Sequence, residues 1–221
     1  MPVIRRIPRH FWLLLGFIPL FIFFKYVEYI VKPVHLMTIA YDYKIPFIKE
    51  FVVAYLMWFP YIFIVFIACG RRSKKEFFRL CAIVYSGMSL VYIFYLIYPN
   101  YVNLRQSVIG NDIFSKLLRL LYSTDTPTNV FPSLHVYIAL VLHQCVVRIS
   151  TRQGDKWRVY ASFAVSVLII ISTVFIKQHS MADVFAGMLF AMLMLKLFGY
   201  SLSPLLSTVK GHEYYAVDFE K

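Results

Sequence analysis

The sequence predicts an all-α fold: a single-domain polytopic membrane bundle of about six transmembrane helices, with a short amphipathic surface helix between the third and fourth. Three observations carry that expectation. Of the 221 residues 60% are hydrophobic and 19% aromatic, while only 15% are charged. Mean hydropathy is +0.67, more apolar surface than a soluble domain of this length can hide. The apolar residues also fall in runs of near-spanning length, with basic clusters in alternate connections.

The runs are read in order as spans at 10–31, 51–69, 78–98, 132–149, 159–176 and 184–202. The first follows Arg5, Arg6 and Arg9 and has no small-residue cleavage site after it, so it reads as a retained span. Lys25 and Glu28 lie in its last turns, where Lys25 can snorkel to the interface. Pro60 lies inside the second run, where neighbouring helices can compensate for its missing N–H. A basic loop at 70–79 leads to the third. In the long connection 99–131, Ile113, Leu117, Leu120 and Leu121 recur at helical spacing opposite Lys116 and Arg119, which predicts an amphipathic helix on the membrane surface. At Phe131-Pro132-Ser133-Leu134-His135 the polar run stops, and a helix is expected to start near Pro132.

The net charge of +12 can suggest nucleic acid, but these basic residues sit between apolar runs, as in cytoplasmic loops. No nucleic-acid partner is expected. Cys69, Cys81 and Cys145 lie in or beside apolar runs without metal-ligand spacing and read as buried thiols. The segments at the N-terminus, 70–79 and 148–158 are rich in Lys and Arg, whereas 32–50, 99–131 and 177–183 mix in acids. The positive-inside rule then puts both termini in the cytoplasm, with the mixed loops outside, in a plasma membrane.

Chemistry is expected among those mixed loops. His179 and Asp183, four residues apart, would share a face at the head of the sixth helix, so the carboxylate would fix the imidazole tautomer. The 44 residues from His135 to His179 take the chain across the membrane and back, returning both histidines to one side. Arg105 and Lys177 offer cations for a phosphate, and Ser133 offers a backbone N–H at a helix start. The set suits phosphoryl transfer: His179 attacks phosphorus, Asp183 orients it, and His135 protonates the leaving oxygen. Cationic side chains and N–H groups would neutralise the phosphate oxygens, so no metal or other cofactor is expected.

Pro132-Ser133-Leu134-His135 and Ser172-(six residues)-His179-(three residues)-Asp183 resemble two signatures of the type 2 phosphatidic acid phosphatase and vanadium haloperoxidase superfamily. With Tyr122, Asp125, Pro127 and Asn129 before it, the first looks most like the inositolphosphotransferase-like branch, where Leu replaces Gly. The resemblance implies that His179 is the nucleophile, Asp183 its orienter and His135 the acid. The chain departs from the superfamily's signatures at three positions: Tyr98 stands for a lysine, Gln106 for a proline and Thr173 for an arginine. The expected function is a lipid phosphatase acting on a phosphomonoester or pyrophosphate, with a lipid phosphate as substrate and membrane lipids as partners. A lipid phosphotransferase, or a non-catalytic lipid-binding or translocating relative, remains open at this point.

Overall fold

The computed structural model describes residues 8–150 and 155–200. Arg5, Arg6, the end of the sixth run and the polar tail with His212 lie outside the described residues. The chain is a helical bundle, as the composition predicts. A 3-10 turn over Arg9–Gly16 leads into α1 (Phe17–Ile30). Then come α2 (Val52–Leu56), α3 (Trp58–Arg72), α4 (Lys74–Ile97), α5 (Ile113–Thr124), α6 (Leu134–Ile149), α7 (Lys156–Phe175) and α8 (Met181–Leu197). Four runs, Arg9–Ile30, Lys49–Arg72, Lys74–Ile97 and Lys156–Phe175, are long and apolar enough to cross a membrane. Helices α6 and α8 have 16 and 17 residues, about 24 and 26 Å at 1.5 Å per residue.

The bundle is organised around α6, which packs against α3, α4, α7 and α8. Val136 to Val146 are buried apart from Leu140, and all of them but His143 and Gln144 are apolar, as suits a central helix. The outward faces of the surrounding helices are also apolar. Ile18, Phe21 and Ile22 of α1, Phe63 and Ile64 of α3, Leu90 and Ile93 of α4, and Phe185 and Leu189 of α8 are all exposed. A water-soluble bundle would place charged side chains there; a bilayer suits these.

Three boundaries differ from the sequence expectation. The basic loop expected at 70–79 shrinks to Ser73, because Ser73 caps α4 by accepting from Glu76 N–H at 3.2 Å. The second run is broken at Met57, where Pro60 has no N–H to offer the carbonyl of Leu56. Finally, α6 starts at Leu134 rather than Pro132, with Ser133 as its cap.

Helix α5 is amphipathic as expected, but its apolar residues divide between protein and surroundings. Leu118 and Leu121 are buried with Val52, Tyr55 and Ile176, while Ile113 and Leu120 are exposed. Asp112 caps it, accepting from Phe114 and Ser115 N–H at 3.1 Å each. Two short strands, β1 (His35–Leu36) and β2 (Asn100–Tyr101), pair in parallel and join the loops at the same end of the bundle. That end also carries the start of α6, the end of α7 and the start of α8. The opposite end carries the ionic pairs Arg72–Asp155, Arg158–Asp155 and Glu76 with Arg79 and Arg148.

Candidate active site

The end of α7 sets the position of His179. Lys177 has φ +58°, and the N–H groups of Lys177 and Gln178 donate back to the carbonyls of Val174 at 3.2 Å and Thr173 at 3.0 Å. This is a Schellman closure with lysine where glycine usually stands. His179 N–H donates to the same Thr173 carbonyl at 3.1 Å, which fixes its backbone. Ser180 then caps α8, and Asp183 is the third residue of that helix. His179 therefore precedes the helix and shares no helical face with Asp183, contrary to the spacing argument.

The two are nonetheless neighbours. His179 Nδ1 and Asp183 Oδ2 are 3.4 Å apart. No hydrogen bond forms at that geometry, and Nδ1 and Asp183 Oδ1 are both buried without partners. Asp183 Oδ2 accepts from Ser180 N–H at 2.8 Å, so the carboxylate serves as a cap while standing within reach of the imidazole. Catalytic hydrogen bonds are commonly long before substrate arrives.

His135 reaches the same place from the first turn of α6. Its ring centroid lies 5.6 Å from that of His179, and it is flanked by the rings of Tyr55 at 4.4 Å and Trp58 at 4.6 Å. Both histidines line a small, partly open cavity. Phe24, Tyr55, Tyr95, Leu134 and Val130 form its apolar wall, and Asp125, Thr126, Thr128, Asn129 and Gln178 its polar one. The close approach of α6 and α8 that unites the site depends on Gly187. A Cβ there would stand 2.7 Å from the carbonyl oxygen of Ser133.

The three expected phosphate ligands are placed differently from one another. Arg105 lies just behind the polar wall. Its Nε donates to Gln178 Oε1 at 2.8 Å and Nη1 to the Tyr122 carbonyl at 2.9 Å, and Nη2 bonds Gln178 Oε1 and the Asp125 carbonyl. It also lies over the Tyr122 ring, 4.2 Å from its centroid. Burial lowers its pKa, while Asp125 acts to raise it. Burial likewise pushes the Tyr122 hydroxyl up to about 12.

Lys177 points elsewhere: its Nζ donates to the carbonyls of Asp42 at 2.8 Å and Ile45 at 2.6 Å, and burial lowers its pKa. Ser133 spends its N–H on the Asp183 carbonyl at 3.1 Å, and its hydroxyl caps Val136. Neither Lys177 nor Ser133 lines the cavity. The N–H groups of Leu134 and His135 open α6 and have no residue four earlier within the helix to bond.

Sequence reasoning missed several contributors. Gln178, inside the His179 motif, bridges Arg105 to Asp125, its Nε2 donating to Asp125 Oδ2 at 3.1 Å. Tyr55 donates to that same oxygen at 2.6 Å. Asn100 Oδ1 accepts the N–H groups of Val130 and Phe131, both at 2.8 Å, and so holds the loop before α6. Asp42 accepts from Met181 N–H at 2.8 Å, placing a carboxylate on the start of α8. Only Gln178 had a usable signal, its place between two motif residues.

A family model of the PAP2 superfamily matches residues 78–204, more than half of the chain. The chain belongs to the PAP2 superfamily. No curated protein and no solved structure matches it. Membership supports a phosphatase- or phosphotransferase-type activity, and the matched region carries His135, His179 and Asp183. Two of the departures from the superfamily's signatures have structural consequences. Tyr98, in the lysine position, stacks on His35 with ring centroids 3.9 Å apart. Thr173, in the arginine position, supplies the carbonyl that closes α7, and its hydroxyl donates to Ile170. Among the described residues no group of three or more His, Cys, Asp or Glu side chains could hold a metal ion.

Proposed function

We propose that this PAP2 protein is an integral membrane lipid phosphatase that cleaves a lipid phosphomonoester or pyrophosphate through a phosphohistidine. The observation that carries the reading is the meeting of His135 and His179 in one cavity, with Asp183 behind His179. With Nδ1 facing Asp183, Nε2 of His179 is the nitrogen free to attack phosphorus. The P–N bond forms as the P–O bond to the lipid breaks, and His135 gives its proton to the leaving oxygen. His135 then takes a proton from water, whose oxygen attacks phosphorus and releases phosphate and His179. The N–H groups opening α6 and the Arg105 charge behind Gln178 offset the negative charge on the phosphoryl oxygens.

The proposal includes six spans, with α6 and α8 completing the four longer runs. Both termini are cytoplasmic and the site faces outward from the plasma membrane, an orientation that rests on the basic loops opposite the site. One observation favours a second reading, transfer of a head group to an acceptor alcohol as in the inositolphosphotransferase-like branch. Leu134 sits in the cavity wall beside His135, an apolar neighbour that favours an alcohol over water as the resolving nucleophile.

The test is phosphate release from a panel of lipid phosphates by detergent-purified protein, wild type beside His179→Ala. Release that vanishes in the variant supports hydrolysis. Silence without acceptor but head-group transfer with one supports the second reading. Activity retained in His179→Ala overturns both.

A further inference from the structure

The polar wall of the cavity is unusual for a phosphate site. No lysine or arginine lines it, and it carries the Asp125 carboxylate, the Thr126 and Thr128 hydroxyls and two carboxamides. Four of these five side chains already have partners. Asp125 is bonded by Tyr55 and Gln178, Gln178 by Arg105, and Thr126 and Thr128 by each other at 2.8 Å. Asn129 has none: its Nδ2 and Oδ1 are both buried and unpartnered, and the residue is only 5% exposed. Burying an amide donor and an acceptor without partners is costly, so a native site that does so holds them for a ligand.

The position is fixed by the backbone. Asn129 has φ +56°, and its N–H donates to the Asn100 carbonyl at 2.7 Å. A carboxamide presents a donor and an acceptor side by side. A phosphate dianion would satisfy Nδ2 but set its oxygens against Oδ1 and the Asp125 carboxylate. A hydroxyl, which donates and accepts, satisfies both ends of the amide. We infer that Asn129 is a specificity-determining residue that grips a hydroxyl of the substrate's alcohol portion, so the site takes a hydroxyl-bearing head group with its phosphoryl group between the histidines. This rests on the phosphoryl-transfer reading above and names its substrate class.

Two phosphonates test it without turnover, because their C–P bond is not cleaved: 2,3-dihydroxypropylphosphonate and n-propylphosphonate, which differ only in two hydroxyls. Binding to the full-length purified protein is measured by calorimetry. The wild type is expected to favour the dihydroxy compound about tenfold, the scale of one good pair of hydrogen bonds. Asn129→Gly and Asn129→Asp both tolerate the left-handed backbone, and both are expected to bring the ratio near one. Equal wild-type affinities, no binding of either compound, or a preference that survives in both variants overturns the assignment. A wild type that prefers the dihydroxy compound but releases no phosphate and transfers no head group sinks the enzymatic reading alone. One that hydrolyses lipids yet binds both compounds equally sinks only this inference.

Discussion

Ser133 donates its backbone N–H to the carbonyl oxygen of Asp183 at 3.1 Å, tying the start of α6 to the start of α8. That bond adds to the packing of α6 on α8 in holding the helix that carries His135 against the helix that carries Asp183. His135 and Asp183 are thus spaced in part by backbone contact, and the cavity is sensitive to anything that enters the seam.

Gly187→Ala puts a methyl group into that seam, with its Cβ 2.7 Å from Ser133 O and 3.0 Å from Val136 Cβ. Backbone cannot rotate out of the way as a flexible side chain can. Overpacking of this kind costs about 1–3 kcal/mol. A lower thermal midpoint in detergent, together with reduced phosphate release, is the expected outcome.

Asp183→Asn separates capping from chemistry. Its amide oxygen can still accept from Ser180 N–H, so stability should change by less than about 1 kcal/mol. The negative charge behind His179 is lost, and kcat should fall by about 10²–10⁴-fold with KM little changed. Circular-dichroism melting beside steady-state kinetics checks both halves.

Lys177 adopts φ +58° and spends its ammonium on the Asp42 and Ile45 carbonyls. Lys177→Gly and Lys177→Ala both lose those two bonds, but only alanine keeps the left-handed strain. The glycine variant should therefore be more stable than the alanine variant by about 1 kcal/mol. Chemical denaturation of the pair measures the difference.

Arg105 and Gln178 share two contacts at the cavity's back wall. Replacing either by alanine should weaken substrate binding, and the double variant should lose less than the sum, with a coupling of about 0.5–3 kcal/mol. Additive losses in KM would mean that the two residues act separately.

The carboxyl of Asp112 is held well below the usual carboxylate range, first by Lys49 Nζ at 2.5 Å and then by Ser115. A depressed pKa contributes stability above the unfolded value that is lost only as pH falls through the folded one. In protein labelled with ¹³C-aspartate, Asp112 should stay ionised across the region where free aspartate titrates, about pH 3.9. Lys49→Met should move its midpoint upward.

Much of this architecture was legible in the residues, because lipid and helix periodicity act locally. The apolar runs located the helices, and the break at 131–135 located the start of α6 to within two residues. What could not be read is what depends on chain closure. Lys177 is drawn into the 42–45 loop by carbonyls 132 and 135 residues away, and no local pattern announces that. The same holds for Asp42 on the start of α8 and for Tyr55 on Asp125. His179 and Asp183 do lie together, but through a Schellman closure and a helix cap rather than a shared helical face. Asp183 at once caps the start of α8 and stands 3.4 Å from His179 Nδ1.

In α1, Lys25 and Glu28 bond each other at 2.6 Å, and they also hold the rim of the cavity: Lys25 on the Thr124 carbonyl, Glu28 on Thr126. Those rim residues follow α1 by about a hundred positions in the chain. In a protein made and inserted from its N-terminus, the first helix exists well before its partners do. Paired with each other, the two charges cancel, so α1 carries no net charge. The rim is therefore closed only when the loop after α5 reaches a charged pair about a hundred positions before it in the chain.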